Sequence, residues 1–256
     1  MNLDPLQLTV LSLLGLAVGS FLNVCVHRLP RGQSLVRPPS RCPRCGYELR
    51  WYDNIPVVSY LVLGGRCRAC REHIAVRYPA LELATLALFL LHGAVLGWTG
   101  LLAVRLLFAC AMVVLFAIDL EHHLLPDAIT LPGIAAGLLF SLLLPPGIVD
   151  ALLGVIVGGG VLWLIGEAYF RYSGQEGMGG GDVKMLAMIG AFLGWKLVLV
   201  TLVLSSVAGS LIGLFVIAVK RGGMKYALPY GTFLALGALA ASLAGDQLIN
   251  WYVSFY

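Results

Sequence analysis

Between Pro5 and Val26 the chain carries no charged side chain, and further apolar runs of similar length follow it. A helix needs about 20 such residues to cross a bilayer. In a membrane every backbone polar group must find its partner within the segment, which leaves helices or closed barrels. Only 12% of residues are charged and the mean hydropathy is +0.90, against roughly 25% charged residues in soluble domains. The chain reads as an all-α polytopic membrane protein with about eight spans, at 5–26, 79–97, 99–118, 128–145, 148–171, 183–194, 197–219 and 229–251. The sixth is short enough to suggest a partly re-entrant segment. Asn2 and Asp4 stand where a cleavable signal peptide would carry basic residues, so the first run is expected to stay as a helix.

Charge sets the orientation. Residues 27–78 hold ten arginines and no lysine. Placing that segment in the cytoplasm and alternating the spans puts Arg171, Lys184, Lys220, Arg221 and Lys225 on the same side. Fifteen of the 17 basic residues then lie inside, with Lys196 outside and Arg105 within the third span. The positive-inside rule gives this topology, with both termini outside. Pairs such as Gly15/Gly19, Gly133/Gly137, Gly154/Gly158, Gly190/Gly194 and Gly209/Gly213 let helix backbones approach closely.

The segment 27–78 contains RCPRCG at 41–46 and RCRACR at 66–71. Cys42, Cys45, Cys67 and Cys70 have the spacing of a zinc ribbon, in which each C-x-x-C turn supplies two thiolates. Two disulfides are the alternative, disfavoured in a reducing compartment. With four protein ligands no coordination position stays open, so the expected metal is structural Zn²⁺. The flanking arginines, Arg41, Arg44, Arg66, Arg68 and Arg71, favour thiolates. Cys25 and Cys110 lie in apolar runs and read as buried small hydrophobes.

Two carboxylates stand out among seven aspartates. Asp119 ends the third span in LFAIDLEHHLLPD, and Asp182 starts the sixth in GMGGGDVKML. The topology places both at the cytoplasmic membrane boundary, where ionisable groups are costly and are functional candidates. Two aspartates sharing one proton are the machinery of aspartic proteases. Gly179, Gly180 and Gly181 offer unusual backbone geometry and room for an extended substrate backbone. Asp127 reads as the N-cap of the fourth span, Asp150 as a group at the start of the fifth, and His122 and His123 as a solvated pair. A transporter or adaptor, with the carboxylates as ion ligands and the zinc segment as a docking module, is the reading from another class.

With these residues in place, the sequence resembles the bacterial type IV prepilin peptidase family. The resemblance rests on GLAVGSFLNVCVHRLP at 15–30, CPRCG at 42–46, WYDNIPVVSYLVLGGRCRAC at 51–70, RYPALEL at 77–83, AIDLEHHLLPD at 117–127 and EGMGGGDVKML at 176–186. Gly179–Asp182 fits the G-x-G-D pattern shared with presenilin-like proteases, which leaves other membrane helices as alternative substrates. The resemblance implies cleavage of prepilin and pseudopilin precursors at the cytoplasmic face of the inner membrane, after a glycine, by Asp119 and Asp182. It further implies N-methylation with S-adenosylmethionine as donor. The expected division is a first transmembrane helix at 1–26, a cytoplasmic zinc-binding segment at 27–78 and a transmembrane protease core at 79–256. Membrane lipid is the other expected partner, and no nucleic acid is expected.

Overall fold

The computed structural model describes residues 3–175, 179–220 and 229–255. Arg221 and Lys225, read above as cytoplasmic charges, lie outside the described residues, as do Glu176, Gly177 and Met178 of the glycine segment. The described residues form nine α-helices: α1 (Pro5–Arg28), α2 (Val58–Val62), α3 (Arg77–Leu96), α4 (Gly100–His122), α5 (Asp127–Phe140), α6 (Ile148–Ser173), α7 (Gly180–Leu193), α8 (Trp195–Lys220) and α9 (Tyr230–Val253). Among the described residues β structure is limited to two isolated bridges, Arg41 with Glu48 and Arg66 with His73.

Each of the eight apolar runs became a helix, and α2 is a short addition inside the segment 27–78. Among the described residues six helices are long and apolar enough to cross a membrane. Of the eight expected spans, α5 and α7 have only 14 residues each, which corrects the span expected at 128–145 and agrees with the short sixth one. At 1.5 Å per residue each is about 21 Å long, short of a hydrocarbon core of about 30 Å. The run at 128–145 stops at Phe140, before the Pro145–Pro146 pair. α7 is bounded by Gly179 and by Gly194, whose φ of +81° lies in the left-handed region that favours glycine.

The chain divides into two compact units, Met1–Val114 and Leu115–Tyr256. In the first, α1 and α3 run antiparallel at very close range. A Cβ added to Gly15 would lie 2.8 Å from Leu86 Cα, and one on Gly19 would lie 2.8 Å from Glu82 Cα. Four residues further on, Asn23 Nδ2 donates to the Tyr78 carbonyl at 3.1 Å. The four-residue step thus reads 15, 19, 23 against 86, 82, 78. Leu11, Phe89 and Leu102 make a core cluster from α1, α3 and the start of α4, with Cys110 packed against it.

In the second unit α7 is the central helix. It packs on α5, α6, α8 and α9, and every residue from Met185 to Leu193 is buried. A helix apolar on all faces is expected inside protein or in lipid. Here protein covers it, so its length is not tied to the bilayer. Gly154 and Gly158 of α6 meet Gly190 and Leu186, while Gly133 and Gly137 of α5 meet Met188 and Ala191. Gly15/Gly19, Gly133/Gly137 and Gly154/Gly158 therefore pack helices as expected; of the fourth pair Gly190 packs but Gly194 is a helix cap, and Gly209 makes only ordinary contact with the Phe233 ring.

Gly158 and Gly160 separate packing from propensity on one helix. A Cβ at Gly158 would lie 2.6 Å from the Leu186 carbonyl oxygen, whereas one at Gly160 meets nothing within 4 Å. Gly158→Val is expected to destabilise by about 1–3 kcal/mol through overpacking, and Gly160→Val by much less. Thermal unfolding in detergent, followed by tryptophan emission, checks this. Equal melting of the two variants would remove α6–α7 backbone contact as the organising feature.

Candidate active site and metal centre

Each C-x-x-C of the first unit is built as a tight turn. The Cys42 N–H donates to the Tyr47 carbonyl at 2.9 Å and Gly46 N–H to the Cys42 carbonyl at 3.0 Å. The second turn repeats this, Cys67 N–H to Glu72 at 2.8 Å and Arg71 N–H to Cys67 at 3.0 Å. The residue after each second cysteine is left-handed, Gly46 at φ +73° and Arg71 at φ +60°. Glycine suits that position and arginine resists it.

The turns bring the four free thiols together. Cys42 Sγ lies 3.8 Å from Cys70 Sγ, Cys45 Sγ lies 4.0 Å from Cys67 Sγ, and all four are within 4.8 Å of one another. A tetrahedral zinc with bonds of about 2.3 Å has sulfur–sulfur edges of about 3.8 Å, while a disulfide requires about 2.05 Å. The donors fit a four-coordinate metal and not two disulfides. The Cys67 thiol is lowered to about 7, first by the Cys70 N–H acting against burial, then by the Ala69 N–H and the neighbouring thiols. Cys70 is pushed up to about 12: the Glu72 N–H lowers it, but burial and the other three thiols outweigh that. Four thiols this close do not all lose their protons unaided, and a bound dication would remove that conflict.

Two of the flanking arginines turn to carboxylates. Arg44 Nη1 pairs with Glu72 at 2.9 Å, and Arg68 Nε with Asp53 Oδ1 at 2.7 Å. Asp53 is a hub of the segment. Its Oδ2 accepts from the Tyr47 hydroxyl at 3.1 Å and from the Arg50 N–H at 3.2 Å. Burial raises the Asp53 carboxyl, but Arg68, the Arg50 N–H and the Tyr47 hydroxyl together hold it below the ordinary carboxylate range. A lowered folded value means that the contribution is complete above the unfolded value of about 4. It is lost only as pH falls from there through the folded value.

The second unit holds both candidate aspartates. Asp119 lies in the last turn of α4 and is 5% exposed. Its Oδ2 accepts the Thr232 N–H at 2.6 Å and the Thr232 hydroxyl at 3.0 Å, across 113 positions of sequence. Thr232 is in the first turn of α9. Gly231 permits the approach, since a Cβ there would sit 3.0 Å from Asp119 Oδ2 and 2.9 Å from Leu125 Cδ1. Asp182 occupies the first turn of α7, and its N–H donates to the Gly179 carbonyl at 3.1 Å.

Asp119 and Asp182 line one cleft of about 490 Å³, with His123, Leu124, Leu125, Pro126, Asp127, Gly179, Gly181 and Lys184. Of the glycines, Gly179 has φ −71° and Gly180 and Gly181 begin α7. None uses a left-handed conformation, so the expected use of backbone freedom is replaced by one of space. A Cβ at Gly179 would face Asp182 Oδ2 at 3.3 Å, and one at Gly181 would press on Leu125 Cβ at 2.9 Å. Gly180 is open.

One reading of the neighbouring residues is corrected. Asp127 does not cap α5: Pro126 holds that position, and Asp127 receives Lys184 Nζ at 2.8 Å on both oxygens. His122 and His123 are both exposed, in keeping with a solvated pair; His122 ends α4, with Nε2 3.9 Å from Glu121, and His123 leaves the helix at φ +51° and also lines the cleft. Thr232 was missed. The available signal was the Tyr230–Gly231–Thr232 stretch opening the last span at the same boundary as the two aspartates.

Residues 13–96 match the family profile described as Bacterial Peptidase A24 N-terminal domain, and residues 106–214 match Type IV leader peptidase family. Three similar proteins carry the name prepilin leader peptidase/N-methyltransferase. The Pseudomonas aeruginosa protein is 39% identical over 95% of this chain and 92% of its own length. The Aeromonas salmonicida protein is 38% identical over 99% and 96%. The Myxococcus xanthus protein is 44% identical over 86% and 67%. No solved structure gives a significant match.

Asp53→Asn removes the charge partner of Arg68 and turns one acceptor into a donor. Breaking a buried charge-assisted hydrogen bond costs about 1.5–3 kcal/mol, reduced here because Arg68 is half exposed. At neutral pH the variant is expected to release metal to a colorimetric chelator several-fold faster than the parent. An unchanged release rate would remove Asp53 from the support of the cysteine cluster.

Proposed function

The chain belongs to the type IV leader peptidase family, and on that premise we propose that it cleaves the leader of prepilin and pseudopilin precursors with Asp119 and Asp182. The observation that carries this reading is the shared cleft: the two membrane-boundary carboxylates line one cavity, with Asp119 anchored from α9. Two aspartates in one confined site hold a single proton between them, because both do not ionise easily together. The ionised member takes a proton from water. The hydroxide so formed attacks the peptide carbonyl, while the protonated member donates to the carbonyl oxygen. Collapse of the tetrahedral intermediate returns a proton to the leaving nitrogen and frees the new amino terminus. Thr232 occupies Asp119 Oδ2, which leaves Oδ1 for water or substrate.

The substrate is itself an apolar helix beside the bilayer-embedded core, with its scissile bond at the cytoplasmic boundary. A glycine before the cut eases local unwinding of that helix. Gly179 and Gly181 keep the wall of the cleft free of side chains where the substrate backbone passes. The orientation drawn from the arginines places the cleft on the cytoplasmic side of the inner membrane and both termini outside. The core at 79–256 performs the cleavage, behind a first helix at 1–26.

Zinc in Cys42, Cys45, Cys67 and Cys70 would stabilise the segment 27–78 rather than take part in cleavage, since four thiolates fill its coordination. The second activity is methylation of the freed amine, for which S-adenosylmethionine supplies an electrophilic methyl group as co-substrate. This chain's side of that reaction is to hold the freed, deprotonated terminal amine.

Leader removal from a co-expressed prepilin, read by gel shift and N-terminal mass, tests the proposal. Asp119→Asn and Asp182→Asn are each expected to lower cleavage by about 10²–10⁴-fold, with membrane expression unchanged. Asp127→Asn, which only breaks the ion pair with Lys184, retains most cleavage. A parent product heavier by one methyl group establishes the second activity. Undiminished cleavage in Asp119→Asn or Asp182→Asn would end the aspartate mechanism. A parent that cuts no prepilin while the same variants change ion flux would favour the transporter reading.

A further inference from the structure

The segment 27–78 exposes apolar side chains that a soluble zinc domain would cover. Trp51 is 80% exposed, Val58 53%, Leu61 71% and Val62 76%. Val58, Leu61 and Val62 follow the i, i+3, i+4 spacing and so share one face of α2. The 3-10 turn Trp51–Asn54 packs against α2. Clustered apolar exposure outside the membrane spans marks an interaction surface.

The height of this surface is set by a buried carboxylate. Glu82, 8% exposed, accepts the Val57 N–H on Oε2 at 2.8 Å. Val57 immediately precedes α2 and has φ +60°, a conformation that a β-branched residue adopts only when its surroundings impose it. Glu82 lies five residues into α3, about 7–8 Å along its axis from Arg77. It is packed directly against Gly19 of α1. The start of α2 is thereby held within two turns of the point where α3 begins its apolar run.

Charge identifies what covers the surface. The segment carries ten arginines against three acids, Glu48, Asp53 and Glu72. Arg31, Arg37, Arg41, Arg66 and Arg71 are exposed. An apolar helix face with tryptophan, in a segment rich in exposed arginines, is the composition of a surface that lies in the headgroup–acyl boundary, where the ring sits among headgroups and guanidiniums meet phosphate. A soluble protein partner would account for the apolar residues but not for their tether at the depth of a membrane helix. We propose that α2 and Trp51 insert into the lipid leaflet beside α1 and α3, with phospholipid as the occupant. The zinc segment then rides on the membrane surface rather than projecting from it.

Full-length protein reconstituted in phosphatidylethanolamine/phosphatidylglycerol vesicles with brominated acyl chains tests this. The emission of Trp51 is the difference between the parent and Trp51→Phe. A second reporter, Trp51→Phe/Leu61→Trp, reads the α2 face, and one zinc per chain verifies that the segment is folded. Both signals are expected to lose most of their intensity to bromolipid and little to aqueous iodide. Quenching of both by iodide but not by bromolipid overturns the proposal. So does protection from iodide that develops only after a membrane-helix peptide is added, which would make the surface a peptide site.

Discussion

A carboxylate buried among apolar helices has to be satisfied by protein, and Asp119 shows how this chain does it. Both of its described hydrogen bonds come from one residue, Thr232, and converge on one oxygen. That requires the end of α4 and the start of α9 to meet almost backbone to side chain, which Gly231 allows. Leu125 is wedged against Gly181 and Gly231 at once, so the start of α7 is fixed against the same point. The cleft follows from this convergence of helix ends. Separating the ends of α4 and α9 would leave a buried acceptor unpaired, at about 1–3 kcal/mol.

The other half of the problem is to keep α7 in place without a long lipid-facing surface. Its 14 residues are held by α5, α6, α8 and α9. The contacts with α5 and α6 run largely through glycine and alanine, where backbones approach to van der Waals distance. In a membrane, packing and close approach replace the hydrophobic drive that associates helices in water. A short central helix lets Asp182 sit at its first turn while the far end stops at Gly194 inside the bundle.

Much of this was legible in the sequence. All eight apolar runs became helices, because a segment without water has no other way to pair its backbone. The four cysteines met because C-x-x-C turns are local and their spacing is a direct geometric statement. Apolar runs do not report whether lipid or protein covers them, which is why the run at 128–145 reads as a span although α5 has only 14 residues, while the short sixth run already points to α7. Asp127 was assigned to a cap because capping is local, whereas its actual partner, Lys184, is 57 positions away. Thr232 and His123 depend on tertiary meeting points and on a left-handed backbone at a helix end, and neither leaves a periodic trace.

The glycines before Asp182 show why residue type alone underdetermines role. Three consecutive glycines suggest a flexible loop or a strained turn, yet Gly179 to Gly181 have ordinary backbone angles and open α7. What distinguishes them is the space beside each: Asp182 oxygen beside Gly179, Leu125 beside Gly181, open space beside Gly180. Gly181 is therefore tied to the packing of helix ends. Gly180 has no steric tie, so a requirement for glycine there would have to come from whatever enters the cleft. Substitution at these adjacent positions separates the architecture of the site from its use.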